Sequence, residues 1–174
     1  MKCANHNYQH NLYFFLQWNI RYIFSSLIIN FLCINTVSLE NNGGFIQMAT
    51  DLALDPSIQN TVNAKKYDGI EIDVLFQDPK NNDKLNTQSQ TFNLHLRNDA
   101  CLRQFSSYRS TFVLDEENQW FTIRLPWSEF AGYGPGSDAT AFDESTLRRV
   151  GILAIGKEME VMLAISGIRF YSVL

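Results

Sequence analysis

Cysteine is scarce in this chain, and so is concentrated charge of either sign. Three cysteines occur among 174 residues, and no two of them form a CxxC pair. Their odd number argues against a disulfide framework or a zinc ribbon, and a reducing compartment is the simpler interpretation. The formal net charge is −4 and no run of lysine or arginine occurs. The sequence therefore lacks the basic footprint of a nucleic-acid-binding protein, and we predict no nucleic-acid partner.

The residue patterns of catalysis and cofactor binding are also missing. Nothing resembles a GxSxG motif, and the glycines of GYGPG at 132–136 lack the spacing of a dinucleotide fingerprint. His6 and His10 are four residues apart without an acidic partner, and no base is suggested near Cys101. His95 falls on the predicted polar side of a strand, so we expect a surface imidazole. The sequence predicts a non-enzymatic protein with no metal and no cofactor.

Alternation of apolar and polar residues is the main positive signal. It recurs in short runs separated by turn residues, at 67–76, 91–98, 107–114, 119–127, 150–156 and 161–173. One buried face and one wet face are typical of strands in antiparallel sheets. The alternation predicts that Ile72, Val74, Leu94, Leu96, Phe121, Ile123 and Leu125 are buried, and that Glu71, Asp73, Arg97 and Arg124 are exposed.

Helical patterning is limited to two short segments. A turn is predicted at 145–149, with Asp143 or Ser145 as its N-cap, and another at 128–130. With so little helix and so many strands, the sequence predicts an all-β fold, an antiparallel β-sandwich. A further strand pair is indicated by residues 36–50, where Gly43 and Gly44 separate two strand-like runs and supply the positive φ values of a tight hairpin.

Residues 1–35 differ in composition from the rest of the chain. They contain Lys2 and Arg21 and no acid, whereas the other 12 basic residues and all 18 acidic residues lie at 36–174. The apolar stretch at 12–34 is interrupted by polar residues and by Arg21. A secretory signal, a membrane anchor, an organelle-targeting segment and a divergent or misassigned start are the four interpretations. We predict an atypical segment at 1–35 and a sandwich domain at 36–174.

Three charged residues occupy the polar positions of separate predicted strands. If these strands are neighbours, Asp73, Arg97 and Arg124 lie on one sheet face, bordered by Tyr108, Trp120 and Trp127. A charge-paired, solvated face is one interpretation. A shallow site for a sugar or a peptide is the other, because the planar fork of arginine suits such recognition.

Several segments resemble one family and occur in its order. They are VSLENNGGF (37–45), YDGIEIDV (67–74), FNLHLRNDACLRQFSSYRSTF (92–112), WFTIRLPWSEF (120–130) and LRRVGILAIGKEMEVMLAISGIRFY (147–171). Together they are similar to the complex I intermediate-associated protein 30 family, a group of assembly factors for respiratory NADH:ubiquinone oxidoreductase. The family's segment before the first of these motifs is absent, so the chain resembles a family member that is truncated or altered at its amino end.

The resemblance implies a galactose-binding-like jelly roll that acts as a chaperone-like assembly factor without catalytic residues. It implies complex I assembly intermediates as partners, in the mitochondrion of a eukaryote or otherwise in the cytoplasm or at a membrane. Membrane contact is expected only through those partners or through residues 12–34. A module that binds a carbohydrate or another small ligand is the alternative function.

The surface for a protein partner is predicted around the glycine-rich loop at 132–136. Trp127, Phe130 and Tyr133 flank this loop and are the candidate aromatic anchors. The competing interpretation is that they are edge residues capping the core.

Overall fold

The computed structural model of the protein describes the backbone of residues 2–4, 20–23, 26–29, 31–37, 45–52, 60–77, 89–134, 140–155 and 159–173. Side-chain environments are described for residues 47–52, 60–77, 89–134, 140–154 and 162–173.

Strands dominate the described chain. They are β1 (Lys2–Ala4), β2 (Ile20–Ile23), β3 (Ser26–Ile29), β4 (Phe31–Val37), β5 (Phe45–Asp51), β6 (Gly69–Gln77), β7 (Gln90–Arg97), β8 (Ser107–Leu114), β9 (Trp120–Pro126), β10 (Ala131–Tyr133), β11 (Arg149–Ile155) and β12 (Met159–Tyr171). Two 3-10 turns, at Trp127–Glu129 and Glu144–Thr146, overlap the helical segments predicted at 128–130 and 145–149. The side chain of Asp143 caps the second turn by accepting a hydrogen bond from the amide of Ser145, as the sequence predicted.

The strands form two antiparallel sheets. Sheet A has the order β1-β5-β11-β7-β8-β10. Sheet B has the order β2-β3-β12-β6-β9, and β4 pairs with β12 as well. The predicted all-β, antiparallel sandwich is confirmed. Strand β10, which the sequence analysis did not predict, pairs with β8 at the edge of sheet A.

The core lies between the sheets and follows the predicted alternation. Ile72 and Val74 of β6 face inward from sheet B, and Leu94 and Leu96 of β7 face inward from sheet A, all of them fully buried. Complete burial of such a side chain contributes roughly 1.5–3 kcal/mol, so this layer dominates the stability of the sandwich. Leu125 is buried too, whereas Phe121 and Ile123 are half-buried because β9 is the edge strand of sheet B.

The predicted hairpin at residues 36–50 is wrong in its pairing. Strand β4 pairs with β12 in sheet B, whereas β5 pairs with β1 and β11 in sheet A. The chain between Val37 and Phe45 therefore connects the two sheets and does not join two paired strands. The glycines themselves, at 43 and 44, lie outside the described residues. Strand β4 also crosses the predicted domain boundary between residues 35 and 36.

Candidate functional site

Four charged residues form an ion-pair network on the outer face of sheet B. Glu71 and Asp73 lie on β6, Arg124 on β9 and Arg169 on β12. The strand register places Arg169, Glu71 and Arg124 in one row across the sheet. Asp73 lies in the next row on the same face, because side chains two residues apart on a strand point to the same side.

Each charged group of the ion-pair network pairs with a group of opposite charge within the network. Arg169 binds Asp73 through two contacts, Nη1 to Oδ2 at 2.5 Å and Nη2 to Oδ1 at 3.1 Å, and it also pairs with Glu71. Arg124 pairs with Glu71 from the opposite side. The hydrogen bond from Arg169 lowers the pKa of Asp73, and that from Thr122 at 2.7 Å adds to this effect. The pKa of Arg169 is raised, mainly by its hydrogen bond to Asp73.

Glu71 is buried, and the prediction that it would be exposed is wrong. Only 5% of its surface is accessible, because arginines approach its carboxylate from both neighbouring strands. A glycine on β12 leaves room for the network. A Cβ atom at Gly167 would lie 3.1 Å from Nη1 of Arg169 and 3.2 Å from Oδ2 of Asp73. Strand β12 has a register shift at this point, between Ile165 and Gly167.

Arg97 does not join the network, so the prediction of one shared polar face is wrong. It lies on β7 in sheet A, whereas Asp73 and Arg124 lie in sheet B. Its guanidinium group instead holds the loop that follows β7. Nη2 donates to the backbone carbonyls of Cys101 at 2.7 Å and Arg103 at 3.1 Å. Tyr108, predicted at the border of the polar face, is fully buried in the core.

Two of the three predicted aromatic anchors cap the core. Phe130 is 6% exposed, so its prediction as a surface anchor is wrong. Its ring stacks on that of Phe142 with centroids 5.3 Å apart. Trp127 is half-buried against the core, and its indole Nε1 donates to the carbonyl of Tyr67 at 2.7 Å. Tyr133 alone is well exposed, and the guanidinium carbon of Arg109 lies 3.2 Å from the centre of its ring.

Apolar residues near Tyr133 form an exposed surface that the sequence analysis did not single out. Leu102 is 83% exposed and Phe105 54%. Both lie in the loop at 98–106, which connects β7 to β8 and is called the tip loop below. The sequence signal that could have identified this surface is the presence of a leucine and a phenylalanine in a loop that lacks the alternation of a strand. The tip loop therefore exposes two large apolar side chains to solvent.

His95 is buried, and its prediction as a surface imidazole is wrong. It lies on β7 between Gly151 of β11 and Arg109 of β8, on the outer face of sheet A, and is 6% exposed. Its Nε2 atom has no hydrogen-bond partner. Burial lowers the pKa of His95 to about 3, and the positive charge of Arg109 adds to this shift. The folded protein therefore holds a neutral imidazole at physiological pH.

Three further observations bear on function. Within the described residues, no cluster of histidine, cysteine, aspartate and glutamate side chains is arranged to hold a metal ion. The thiol of Cys101 is free and buried. Among the helices that the structure describes, none has the length and apolar character needed to cross a bilayer.

Comparison with known families gives one assignment. Residues 32–165 match the family model of Complex I intermediate-associated protein 30 (CIA30). The matched segment starts in β4 and ends within β12, so it includes most of both sheets. Among curated proteins, none matches the chain significantly in sequence.

Several solved structures of similar fold are carbohydrate-binding modules. A family 11 module from Clostridium thermocellum, in complex with a β-1,3-1,4-mixed-linked tetrasaccharide, superposes with a TM-score of 0.59 at 13% identity, over 86% of this chain and 83% of the module. A family 11 module of a cellulosomal cellulase of the same organism gives 0.53 at 11% identity, covering 91% and 94%. A family 30 module gives 0.50 at 12% identity, covering 89% and 83%. At these identities the likeness establishes the jelly-roll sandwich fold.

Proposed function

Since this chain belongs to the complex I intermediate-associated protein 30 family, we propose that it assists the assembly of respiratory complex I as a non-enzymatic, chaperone-like factor that binds protein intermediates. The observation that carries the proposal is the family match over residues 32–165, which spans most of the sandwich. In a eukaryote this role places the protein in the mitochondrion, and otherwise in the cytoplasm or at a membrane.

The structure supports a role in binding through its rigidity and its surface. The core between the sheets is continuous, and the ion-pair network fixes three strands of sheet B to one another. A rigid scaffold lets a partner bind without ordering the sandwich first, which reduces the entropic cost of association. The tip loop adds exposed apolar side chains to this scaffold, at Leu102 and Phe105.

Depletion of the protein in its native organism tests the proposal. We expect fully assembled complex I to fall several-fold and partial assemblies to accumulate, because an assembly factor acts before the enzyme is complete. Native gel electrophoresis with in-gel NADH oxidation measures both quantities. Expression of the intact chain should restore complex I, and unchanged complex I in fully depleted cells would contradict the proposal.

Carbohydrate binding is the second candidate function, and one observation favours it. On the outer face of sheet A, the guanidinium group of Arg109 lies over the ring of Tyr133, which is 49% exposed. An arginine beside an exposed aromatic ring offers the two kinds of group that suit a hydroxyl-rich ligand. Calorimetric titration with a β-1,3-1,4-mixed-linked tetrasaccharide decides between the two functions. Saturable heat that Arg109→Ala abolishes would favour carbohydrate binding.

A further inference from the structure

The tip loop presents apolar side chains to solvent at the end of the sandwich where β10 meets β8. Leu102 is 83% exposed, Phe105 54% and the neighbouring Tyr133 of β10 49%. Tyr133 pairs in register with Ser107, two residues after Phe105. The tip loop and the adjoining strand β10 therefore expose three large apolar or aromatic side chains to solvent.

The loop is held in place by hydrogen bonds from β7 and from its own first residue. Arg97 donates to the carbonyls of Cys101 and Arg103. Asn98 is 1% exposed, and its side-chain oxygen accepts from the amide of Ala100 at 3.1 Å. Its side-chain nitrogen donates to the carbonyl of Asp143 at 3.0 Å. These contacts hold the loop backbone in one conformation, which positions Leu102 and Phe105 outward.

The backbone at Phe105 has a conformation that large side chains rarely adopt. Its φ is +65°, and Gly134, with φ of +82°, packs directly against it. A Cβ atom at Gly134 would lie 2.5 Å from the carbonyl oxygen of Phe105. A bulky residue with positive φ is strained and persists only where its surroundings impose that conformation. The backbone is therefore strained at Phe105, the residue whose ring is exposed to solvent.

Two arginines flank these apolar side chains in the sequence. Residues 100–110 contain Arg103 and Arg109 and no acid, in a chain whose net charge is −4. The nearest preceding acid in the sequence, Asp99, forms an ion pair with Arg148 at 2.5 Å. Arg109 lies over the ring of Tyr133. The tip loop therefore contributes leucine, phenylalanine and Arg103, the adjoining strands contribute Tyr133 and Arg109, and the acid of the loop, Asp99, is ion-paired.

We propose that the tip loop docks on an anionic phospholipid bilayer, with Leu102 and Phe105 inserted among the lipid headgroups and acyl chains. Exposed apolar side chains beside arginine and tyrosine match the chemistry of the membrane interface, where basic groups meet anionic headgroups. The arginines beside these apolar side chains favour anionic headgroups as the occupant of this surface. This membrane contact goes beyond the proposed assembly role and does not depend on it.

Vesicle sedimentation of the full chain tests the proposal. We expect the protein to bind vesicles of phosphatidylcholine containing about one-third phosphatidylserine, and to bind pure phosphatidylcholine several-fold more weakly. The double variant Leu102→Ser/Phe105→Ser should lose at least about tenfold in partitioning. Arg103→Gln should lose binding several-fold and weaken its dependence on salt. Val173→Ser, which removes an apolar side chain that is 73% exposed elsewhere, is the matched control and should bind as the wild type does.

A second measurement keeps the test independent of any change in folding. Thermal unfolding of each variant shows whether it is folded. In the single variant Phe105→Trp, the added indole fluorescence should shift to shorter wavelength on vesicles, because the ring leaves water. Three results would overturn the proposal: no binding of the wild type to anionic vesicles, equal binding by the folded double variant, or no shift at position 105. Loss of partner-protein capture in the double variant, with vesicle binding absent in the wild type, would assign the tip loop to a protein interface instead.

Discussion

Replacement of Arg169 by alanine should lower the free energy of unfolding by about 3 kcal/mol. The change leaves the carboxylate of Glu71, which is 5% exposed, with Arg124 as its sole ion-pair partner among the described residues. It also removes both arginine contacts to Asp73. Loss of one member of a buried ion pair typically costs about 3–5 kcal/mol, and the lower end applies here because Arg124 stays in place. Urea denaturation followed by circular dichroism measures the loss.

Arg148→Ala is the matched control for this prediction. Arg148 pairs with Asp99 at 2.5 Å, but both side chains are about half exposed, at 48% and 47%. An exposed pair contributes roughly 0.2–1 kcal/mol, so this variant should stay within about 1 kcal/mol of the wild type. Equal losses of stability in the two alanine variants would show that the ion-pair network is a solvated surface feature and is not buried.

Acidification from pH 8 to pH 5 should cost about 2 kcal/mol through His95 alone. In the folded protein the pKa of His95 is lowered from 6.5 to about 3, by burial and by Arg109. Between these two values the unfolded chain takes up a proton that the folded chain does not, so falling pH favours unfolding. The stabilisation is complete above about pH 6.5 and is lost progressively as the pH falls toward 3. The pKa of Asp73 is lowered from 3.8, so its titration contributes little between pH 8 and pH 5.

The variant His95→Leu isolates this contribution. Leucine cannot take up a proton in either state, so the free energy of unfolding should change by about 2 kcal/mol less between pH 8 and pH 5 than in the wild type. Denaturant titrations at each pH measure the difference, and circular dichroism at pH 8 confirms that the variant is folded. Parallel pH profiles for the two proteins would show that the imidazole is accessible to water and titrates normally.

The core could be predicted from the sequence because alternation is a local property. Ile72, Val74, Leu94 and Leu96 alternate with polar residues, and each lies fully buried between the sheets. The alternation assigns each side chain to one face of its own strand. It does not say which sheet the strand joins, since that depends on pairing between distant segments. Arg97 therefore lies at a polar position of its strand, as predicted, but its strand belongs to sheet A, whereas Asp73 lies in sheet B.

Local sequence patterns also could not predict which polar side chains are buried on the outer faces of the sheets. Glu71 and His95 occupy polar positions of their strands, and both are buried. Glu71 is covered by arginines from two neighbouring strands, one 53 and the other 98 residues away in sequence. The hairpin predicted from Gly43 and Gly44 failed for the same reason. The composition of the segment fits a hairpin, but the strands on either side pair with distant strands in different sheets.

Proximity labelling in the native organism tests the assembly role most directly. A biotin ligase fused to the carboxyl end of the full chain should label subunits of respiratory complex I well above a ligase expressed alone in the same compartment. Labelling should be strongest for subunits found in partial assemblies, since the proposed factor binds intermediates before the enzyme is complete. Complex I subunits labelled no more than in the ligase-only control, by a fusion protein that is folded and present at normal levels, would contradict the proposal.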